Sequence, residues 1–387
     1  MKILHMADVH LDSKLTRYLD NEKVRERRNE ILLTYRNAVN YAVENDIEVI
    51  IIAGDLFDVR KISATSRDAV RDSIEQNPDI TFFYLRGNHD ADSFVQTVIE
   101  KNGKLPENLK MFSREWASYR FTAKDGISVV ITGAEMDSEN SAELVSSLAL
   151  NQSDFNIVTL HGQEIATASK NDAEVIPLRE YRNRGIDYMA LGHIHEPKIE
   201  KLDARGTYSY SGCLEGRGYD ECGVRGFNVI EVTEISGNPE MNIQFVPFAR
   251  RTIHRVELDL GIVNSSAMQG MIDSPRIARL AKDKISEAGV EEKDMVRLEL
   301  TGKINASVDI DTDYIRKILE DDYYHIKVVD KTGVFINYED FALDMSLRGE
   351  FVRLIMREKE LGNLDEETAA RITRTGIDIL AGEEGVL

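Results

Sequence analysis

The chain has 387 residues, with 48 Lys and Arg against 68 Asp and Glu, a net charge of −20. Its 42% hydrophobic and 30% charged residues have the balance of a globular protein, which excludes disordered and fibrous classes, and no run of about 18 apolar residues offers a membrane span. Two cysteines, Cys213 and Cys222, exclude a disulfide scaffold and fit a reducing cytoplasm, while the start MKILHMADVHLD lacks the form of a secretory signal.

Short β-rich runs are predicted at 2–6, 48–53, 81–85, 128–132, 156–160 and 188–191. Between them lie helical patterns at 25–45, 64–76, 92–102, 138–150 and 177–184; the first carries Ile31, Leu32, Tyr35, Ala38, Val39 and Ala42 at spacings of three and four. This alternation predicts an α/β domain whose sheets are covered by helices. From 196 to 258 the pattern turns to strands, at 198–202, 207–211, 226–232, 241–246 and 252–258. A small α+β unit follows, with strand 252–258, helix 274–288, strand 296–300, helix 313–321 and strand 326–329. Two amphipathic helices, 346–361 and 365–381, close the chain; Leu347, Phe351, Leu354 and Ile355 stripe one, and Ala369, Ile372, Gly376, Ile379 and Leu380 the other. The domains expected are 1–250, 251–340 and 341–387.

Five clusters carry the chemistry: Asp8-Val9-His10, Gly54-Asp55 with Asp58, Gly87-Asn88-His89-Asp90, His161-Gly162, and Gly192-His193-Ile194-His195. Each follows a predicted strand at once, and ligands of open α/β sheets bind at the carboxyl ends of strands. A single strand-end Asp or His reads as a cap or a core residue; five such clusters in one structural position point to one site. Asp8 and His10, like His193 and His195, alternate so that both can point to one side of an extended segment. Asp55 has two oxygens and can bridge two ions, Asn88 offers a neutral carbonyl, and His161 adds an imidazole. This mixture suits Mn²⁺, Fe²⁺ or Zn²⁺. Two metals about 3.5–4 Å apart can clamp the attacking and leaving oxygens of a phosphoryl displacement and lower the pKa of a water. His89 follows Asn88 directly, so its side chain diverges from the ligand and can protonate a leaving oxygen. Asp12, Asp58 and Asp90 are read as hydrogen-bond partners of the imidazoles; Asp58 joins His89 in the expected catalytic set.

The order D-x-H, G-D-x-x-D, G-N-H-D, lone H and G-H-x-H resembles the calcineurin-like metallophosphoesterases. ILHMADVHLDS, GHIHEP and YSGCLEGRGYDECGVRGF resemble more closely the SbcD family of DNA double-strand-break repair exonucleases, over about residues 1–250 and less strongly over 250–340. Cys213 stands where that family commonly has Ser. The resemblance implies a four-layer α/β sandwich of two central sheets, with an α+β capping domain and a C-terminal helix pair. It implies one metal on Asp8, His10, Asp55 and His195, another on Asp55, Asn88, His161 and His193, and His89 acting on the phosphodiester. It further implies Mn²⁺-dependent 3′–5′ exonuclease activity on duplex DNA ends and endonuclease activity on single strands. The family works as a homodimer with an SbcC-type coiled-coil ATPase, for which 346–381 is the candidate docking element.

Arg217 and Arg225 follow the ligand clusters and are the expected phosphate contacts. Asp309, Asp311, Asp313 and Glu320 mimic a calcium loop, but Tyr314 occupies the position that needs glycine, so these acids read as the N-cap and first-turn charges of a helix. His5, His254 and His325 read as ordinary. Two other functions compete with a nuclease: a dimetal phosphatase or phosphodiesterase on a small ester, and a non-catalytic scaffold. The intact ligand set disfavours the scaffold, and the added domain favours DNA over a small ester. The acidity weighs the other way, but two bound divalent ions would reverse the local field.

Overall fold

The computed structural model describes all residues except 16–18, 59–61, 91–92, 165–173, 236–237, 262–272, 306–309, 336–340, 342–343 and 382–387. Two compact units emerge, Met1–Thr252 and Ile253–Leu387.

The first unit runs β1 (Lys2–Met6), α1 (Asn21–Glu44), β2 (Val49–Ala53), α2 (Ala64–Glu75), β3 (Thr81–Leu85), α3 (Ser93–Asn102), β4 (Leu109–Met111), β5 (Ala117–Thr122), β6 (Ser128–Gly133) and α4 (Ser141–Ser147). It continues with β7 (Phe155–His161), β8 (Gln163–Glu164), β9 (Val175–Ile176), α5 (Leu178–Tyr181), β10 (Tyr188–Gly192), β11 (Lys198–Lys201), β12 (Thr207–Tyr210), β13 (Gly226–Ile235) and β14 (Asn238–Pro247). One six-stranded sheet has the order β14-β13-β1-β2-β3-β4 and the other β11-β12-β10-β7-β6-β5. The strands that precede the five clusters are parallel within each sheet: β1, β2 and β3 in the first, β7 and β10 in the second.

Strand parity builds the layers, because successive side chains face opposite sides. Ile3, Val49, Ile51, Phe83 and Leu85 meet Val129, Ile131, Ile157, Tyr188 and Ala190 in a core between the sheets. Their neighbours Leu4, Met6, Ile50, Ile52, Phe82 and Tyr84 pack instead on Ile31, Tyr35, Ala38 and Ala42 of α1 and Val70 and Ile74 of α2. On the other side Val158, Leu160, Met189 and Leu191 pack on Leu144 and Val145 of α4 and Tyr181 of α5. The result is the four-layer α/β sandwich expected, with near-continuous hydrophobic central strands because both faces are covered.

The second unit contains β15 (Ile253–Asp259), α6 (Ser274–Glu287), β16 (Met295–Thr301), β17 (Lys303–Asn305), α7 (Thr312–Leu319), β18 (His325–Asp330), β19 (Gly333–Phe335), α8 (Leu347–Glu360) and α9 (Glu366–Ala381). β15, β16 and β18 form a parallel sheet whose Val256, Leu258, Val296, Leu298 and Ile326 pack on Ile277, Ala281 and Ile285 of α6 and Ile315 and Leu319 of α7. Asp311 caps α7 by accepting from the Tyr314 N–H at 2.8 Å, as the helix reading of the acidic run requires; Asp309 lies outside the described residues. In α8 and α9, Val352 and Ile377 are buried together with Phe341, Phe351 and Ala370 around them. No helix among the described residues is long and apolar enough to cross a membrane.

Candidate metal centre

The five clusters lie where the sheets end, and the backbone there turns sharply. Asp8, His10, Asp55 and His193 have φ of 52°, 50°, 52° and 95°. Residues with side chains rarely adopt this left-handed region, at a cost of roughly 1–3 kcal/mol each. Backbone bonds hold them there: the Asp8 N–H donates to Gly54 O at 3.0 Å and the His10 N–H to Asp55 O at 2.9 Å, so the exits of β1 and β2 run together. The His193 N–H donates to both Asp8 oxygens at 3.1 Å and so ties the second sheet to the first. The glycines are needed for space. A Cβ on Gly54, at φ +94°, would lie 2.1 Å from His161 Nδ1, and one on Gly87 would lie 2.2 Å from Asp55 Oδ1.

Two groups of donor atoms result. In the first, His10 Nε2 and His195 Nε2 are 3.2 Å apart, with Asp8 Oδ1 4.0 and 3.9 Å from them and Asp55 Oδ2 3.7 Å from His10. In the second, His161 Nε2 lies 3.3 Å from Asp55 Oδ2 and 3.1 Å from Asn88 Oδ1, and the His193 ring packs edge-on against His161 at 5.3 Å. Asp55 faces both groups. Asp8, His10, Asp55 and His161 are all buried, and buried carboxylates are costly unless paired or bound to a cation. Burial alone would raise the Asp55 pKa, but the imidazoles of His161 and His10 and the His89 amide hold it well below the usual carboxylate range. Conversely, burial lowers the His161 pKa, and the Asp55 carboxylate outweighs it and raises it. Imidazole, carboxylate and amide donors converging where the sheets end, from the buried Asp55 out to the exposed Asn88, fit one or two borderline divalent cations.

Asn88 and His89 diverge. Asn88 turns to His161, whereas His89 sits beside His10, with ring centroids 5.1 Å apart, and places Nδ1 2.9 Å from Asp58 Oδ1. The His89 side chain is 47% exposed. The Asp58 hydrogen bond, against a smaller effect of burial, raises its pKa. Asp58 Oδ1 also meets His10 Nδ1 at 3.2 Å, and Oδ2 accepts from Ser13 Oγ at 2.7 Å.

Asp12 and Asp90 are placed otherwise than the sequence reading expects. Asp12 accepts from the Ser63 N–H and Ser66 Oγ at the start of α2. Asp90 accepts from the backbone N–H groups of Leu56, Phe57 and Gly87, locking two of the strand exits together. Strand-exit loops leave backbone donors without ladder partners, and these acids satisfy them. Arg217 lies at the centre, with Nη1 3.7 Å from Asp58 and Nη2 2.9 Å from Glu221. Arg225 is buried and donates to the carbonyls of Val224 and Cys222, within its own turn. Glu221, which bonds His195 Nδ1 at 2.7 Å, lies in the YSGCLEGRGYDECGVRGF stretch but has no assigned role in the sequence reading, 26 residues beyond its partner. Nor has the bidentate Arg86–Glu135 pair, both bonds 2.7 Å, which links residues following β3 and β6 beside the Gly87 loop.

A family model described as calcineurin-like phosphoesterase matches residues 1–197. The metallophosphoesterase YhaO of Bacillus subtilis is 25% identical over 240 residues, 60% of this chain and 58% of that protein. The DNA double-strand break repair protein Mre11 of Aeropyrum pernix is 27% identical over 280 residues, 67% of this chain and 64% of that protein. Mre11 of Methanopyrus kandleri is 28% identical over 253 residues, 60% and 54% respectively. The chain thus matches less than two thirds of the length of each of these relatives.

Proposed function

The chain belongs to the calcineurin-like phosphoesterase family, and from that premise we propose that it is a Mn²⁺-dependent DNA nuclease, a 3′–5′ exonuclease on duplex ends and an endonuclease on single strands. The observation that carries the hydrolytic part is the paired donor set around Asp55 with a half-exposed, Asp58-bound His89 at its edge. In this reading Asp8, His10, Asp55 and His195 hold one ion, and Asp55, Asn88, His161 and His193 hold the other. Bound there, two divalent ions supply the Lewis acidity that activates water and offsets charge on the phosphoryl oxygens. Asp58 orients His89 through Nδ1, which leaves Nε2 to deliver a proton to the departing oxygen. The protonated form that this role requires is the one Asp58 favours.

DNA as substrate, with a role in double-strand-break repair, rests on the likeness to the Mre11 proteins and on the α+β unit after residue 252, which gives a surface that a small-ester phosphatase does not need. In the same reading 1–250 is the nuclease domain, 251–340 a capping domain and 341–387 the partner-binding segment of a cytoplasmic homodimer. The partner is an SbcC-type coiled-coil ATPase. Support comes from the side chains that stay exposed when α8 and α9 pack on each other: Leu347 at 69%, Leu354 at 52% and Ile379 at 57%. The net charge of −20 points to weak DNA binding by this chain alone, with the partner contributing most of the affinity. The purified protein should digest linear DNA when Mn²⁺ is added. A preparation holding two metals that cleaves small phosphodiesters but leaves single- and double-stranded DNA intact would favour the small-ester alternative.

A further inference from the structure

His10 and His195 approach each other through their Nε2 atoms, and each is held from behind through Nδ1. An imidazole that faces a cation is fixed in tautomer and rotation by whatever its other nitrogen touches. Behind His10 that group is Asp58, at 3.2 Å; behind His195 it is the buried Glu221, at 2.7 Å. The Cys213 N–H donates to the His195 carbonyl at 3.1 Å, which fixes the backbone and leaves the ring's rotation to the groups at Nδ1, Glu221 at 2.7 Å and Arg217 Nη2 at 3.3 Å. The other Glu221 oxygen accepts the Arg217 backbone N–H at 2.6 Å, and the Arg217 guanidinium folds back onto the first oxygen through Nη2 at 2.9 Å. The same guanidinium places Nη1 3.7 Å from Asp58, the carboxylate that also holds His89. One cation therefore spans the two acids that hold the two imidazoles.

We propose that Glu221 and Arg217 are positioning residues of the centre. Glu221 sets the His195 ring with Nε2 toward the ion, and Arg217 ties Glu221 to Asp58 so that His10, His195 and His89 are held as one unit. This deepens the function proposed above and rests on it in taking His10 and His195 as ligands of one ion. It also moves Arg217 from the phosphate contact expected of it to a supporting role, since its guanidinium is engaged by two carboxylates and its side chain is only 17% exposed.

The test is calorimetric titration of the metal-stripped full chain with Mn²⁺, for wild type, Glu221→Ala, Glu221→Gln and Arg217→Gln, alongside metal-free thermal unfolding. Wild type should bind two ions. Glu221→Ala should weaken one of them by roughly 10–100-fold and leave the other unchanged. Glu221→Gln, whose amide oxygen can still accept from Nδ1–H, should recover most of that loss. Arg217→Gln should weaken the same ion by less and leave KM for bis(4-nitrophenyl) phosphate unchanged at saturating Mn²⁺. Wild-type affinity at both sites in Glu221→Ala overturns the proposal; should that variant unfold, an unaltered Arg217→Gln titration overturns it instead. A raised KM in Arg217→Gln with unaltered Mn²⁺ binding returns that residue to the phosphate. If wild type itself binds no Mn²⁺, the metal-centre reading fails before the variants are compared, so the two failures are distinct.

Discussion

Replacing His89 with alanine separates proton delivery from metal binding. The His89 ring packs edge-on against His10, 5.1 Å between centroids, but supplies no atom to either donor group, and its backbone N–H to Asp55 Oδ1 at 2.9 Å survives the substitution. Its side chain is about half exposed and loses one hydrogen bond to Asp58, so the fold should lose about 1 kcal/mol. The proton it supplies matters in proportion to the basicity of the leaving oxygen. For DNA that oxygen departs as an alkoxide, and loss of a positioned acid costs about 10²–10⁴ in rate, or ~3–5 kcal/mol of barrier. For bis(4-nitrophenyl) phosphate the leaving group is a weak base that needs little protonation, and the loss should be under about tenfold. The assay is single-turnover cleavage of both substrates at saturating Mn²⁺, with metal content measured on the same preparations. Equal losses on the two substrates would refute the acid role, and lost metal would make His89 a ligand.

Three further outcomes follow from other parts of the molecule. His5 is fully buried, with Nδ1 2.8 Å from the Tyr188 hydroxyl, and burial, against a smaller backbone contribution from Leu191, pushes its pKa down to about 3. It stays neutral in the native state while the unfolded chain protonates below about 6.5, so its contribution is complete above pH 6.5 and is lost as pH falls toward 3. At pH 4.5 that amounts to roughly 3 kcal/mol at about 1.4 kcal/mol per unit, so denaturation midpoints of wild type and His5→Gln should converge between pH 7 and 4.5; parallel curves would contradict this. Gly54→Ala should displace His161, given the 2.1 Å approach, and remove one Mn²⁺ of two by elemental analysis; full occupancy would mean that the loop yields freely. Deleting 346–387 should abolish capture by an SbcC-type ATPase while the shortened chain still unfolds cooperatively; retained capture would place docking elsewhere.

The site could be read from the sequence because its ligands are crowded into five short stretches, each directly after a buried strand, and strand ends are the most local feature of an α/β sheet. β1 and β3 were legible to the residue for the same reason: Ile3, Leu4, Phe82 and Phe83 are apolar on both faces. The edge strand β5 was not, since Ser118, Arg120 and Thr122 alternate outward and only Ala117, Tyr119 and Phe121 touch the core. α1 starts at Asn21, four residues before the 25–45 pattern, because Asp20 caps it, accepting from the N–H groups of Glu22 and Lys23. α5 spans only Leu178–Tyr181 where 177–184 was expected, and Asn183 and Gly185 beyond it adopt positive φ. Of the groups that orient the ligands, Asp58 was anticipated from its place in the second cluster, although nothing in local spacing separates it from Asp12 and Asp90, which went to the start of α2 and to backbone amides instead. Glu221 was not, because it reaches His195 across 26 residues.

The central claim is that two metals held around Asp55 make this chain a DNA nuclease, and one measurement addresses it directly. Metal-stripped protein is incubated with end-labelled duplex and single-stranded DNA, with and without added Mn²⁺, and the products are resolved by length. Shortening of the duplex from its 3′ ends and internal cutting of the single strand, both requiring Mn²⁺ and both lost in Asp55→Asn, are the predicted results. Intact DNA at full two-metal occupancy would contradict it.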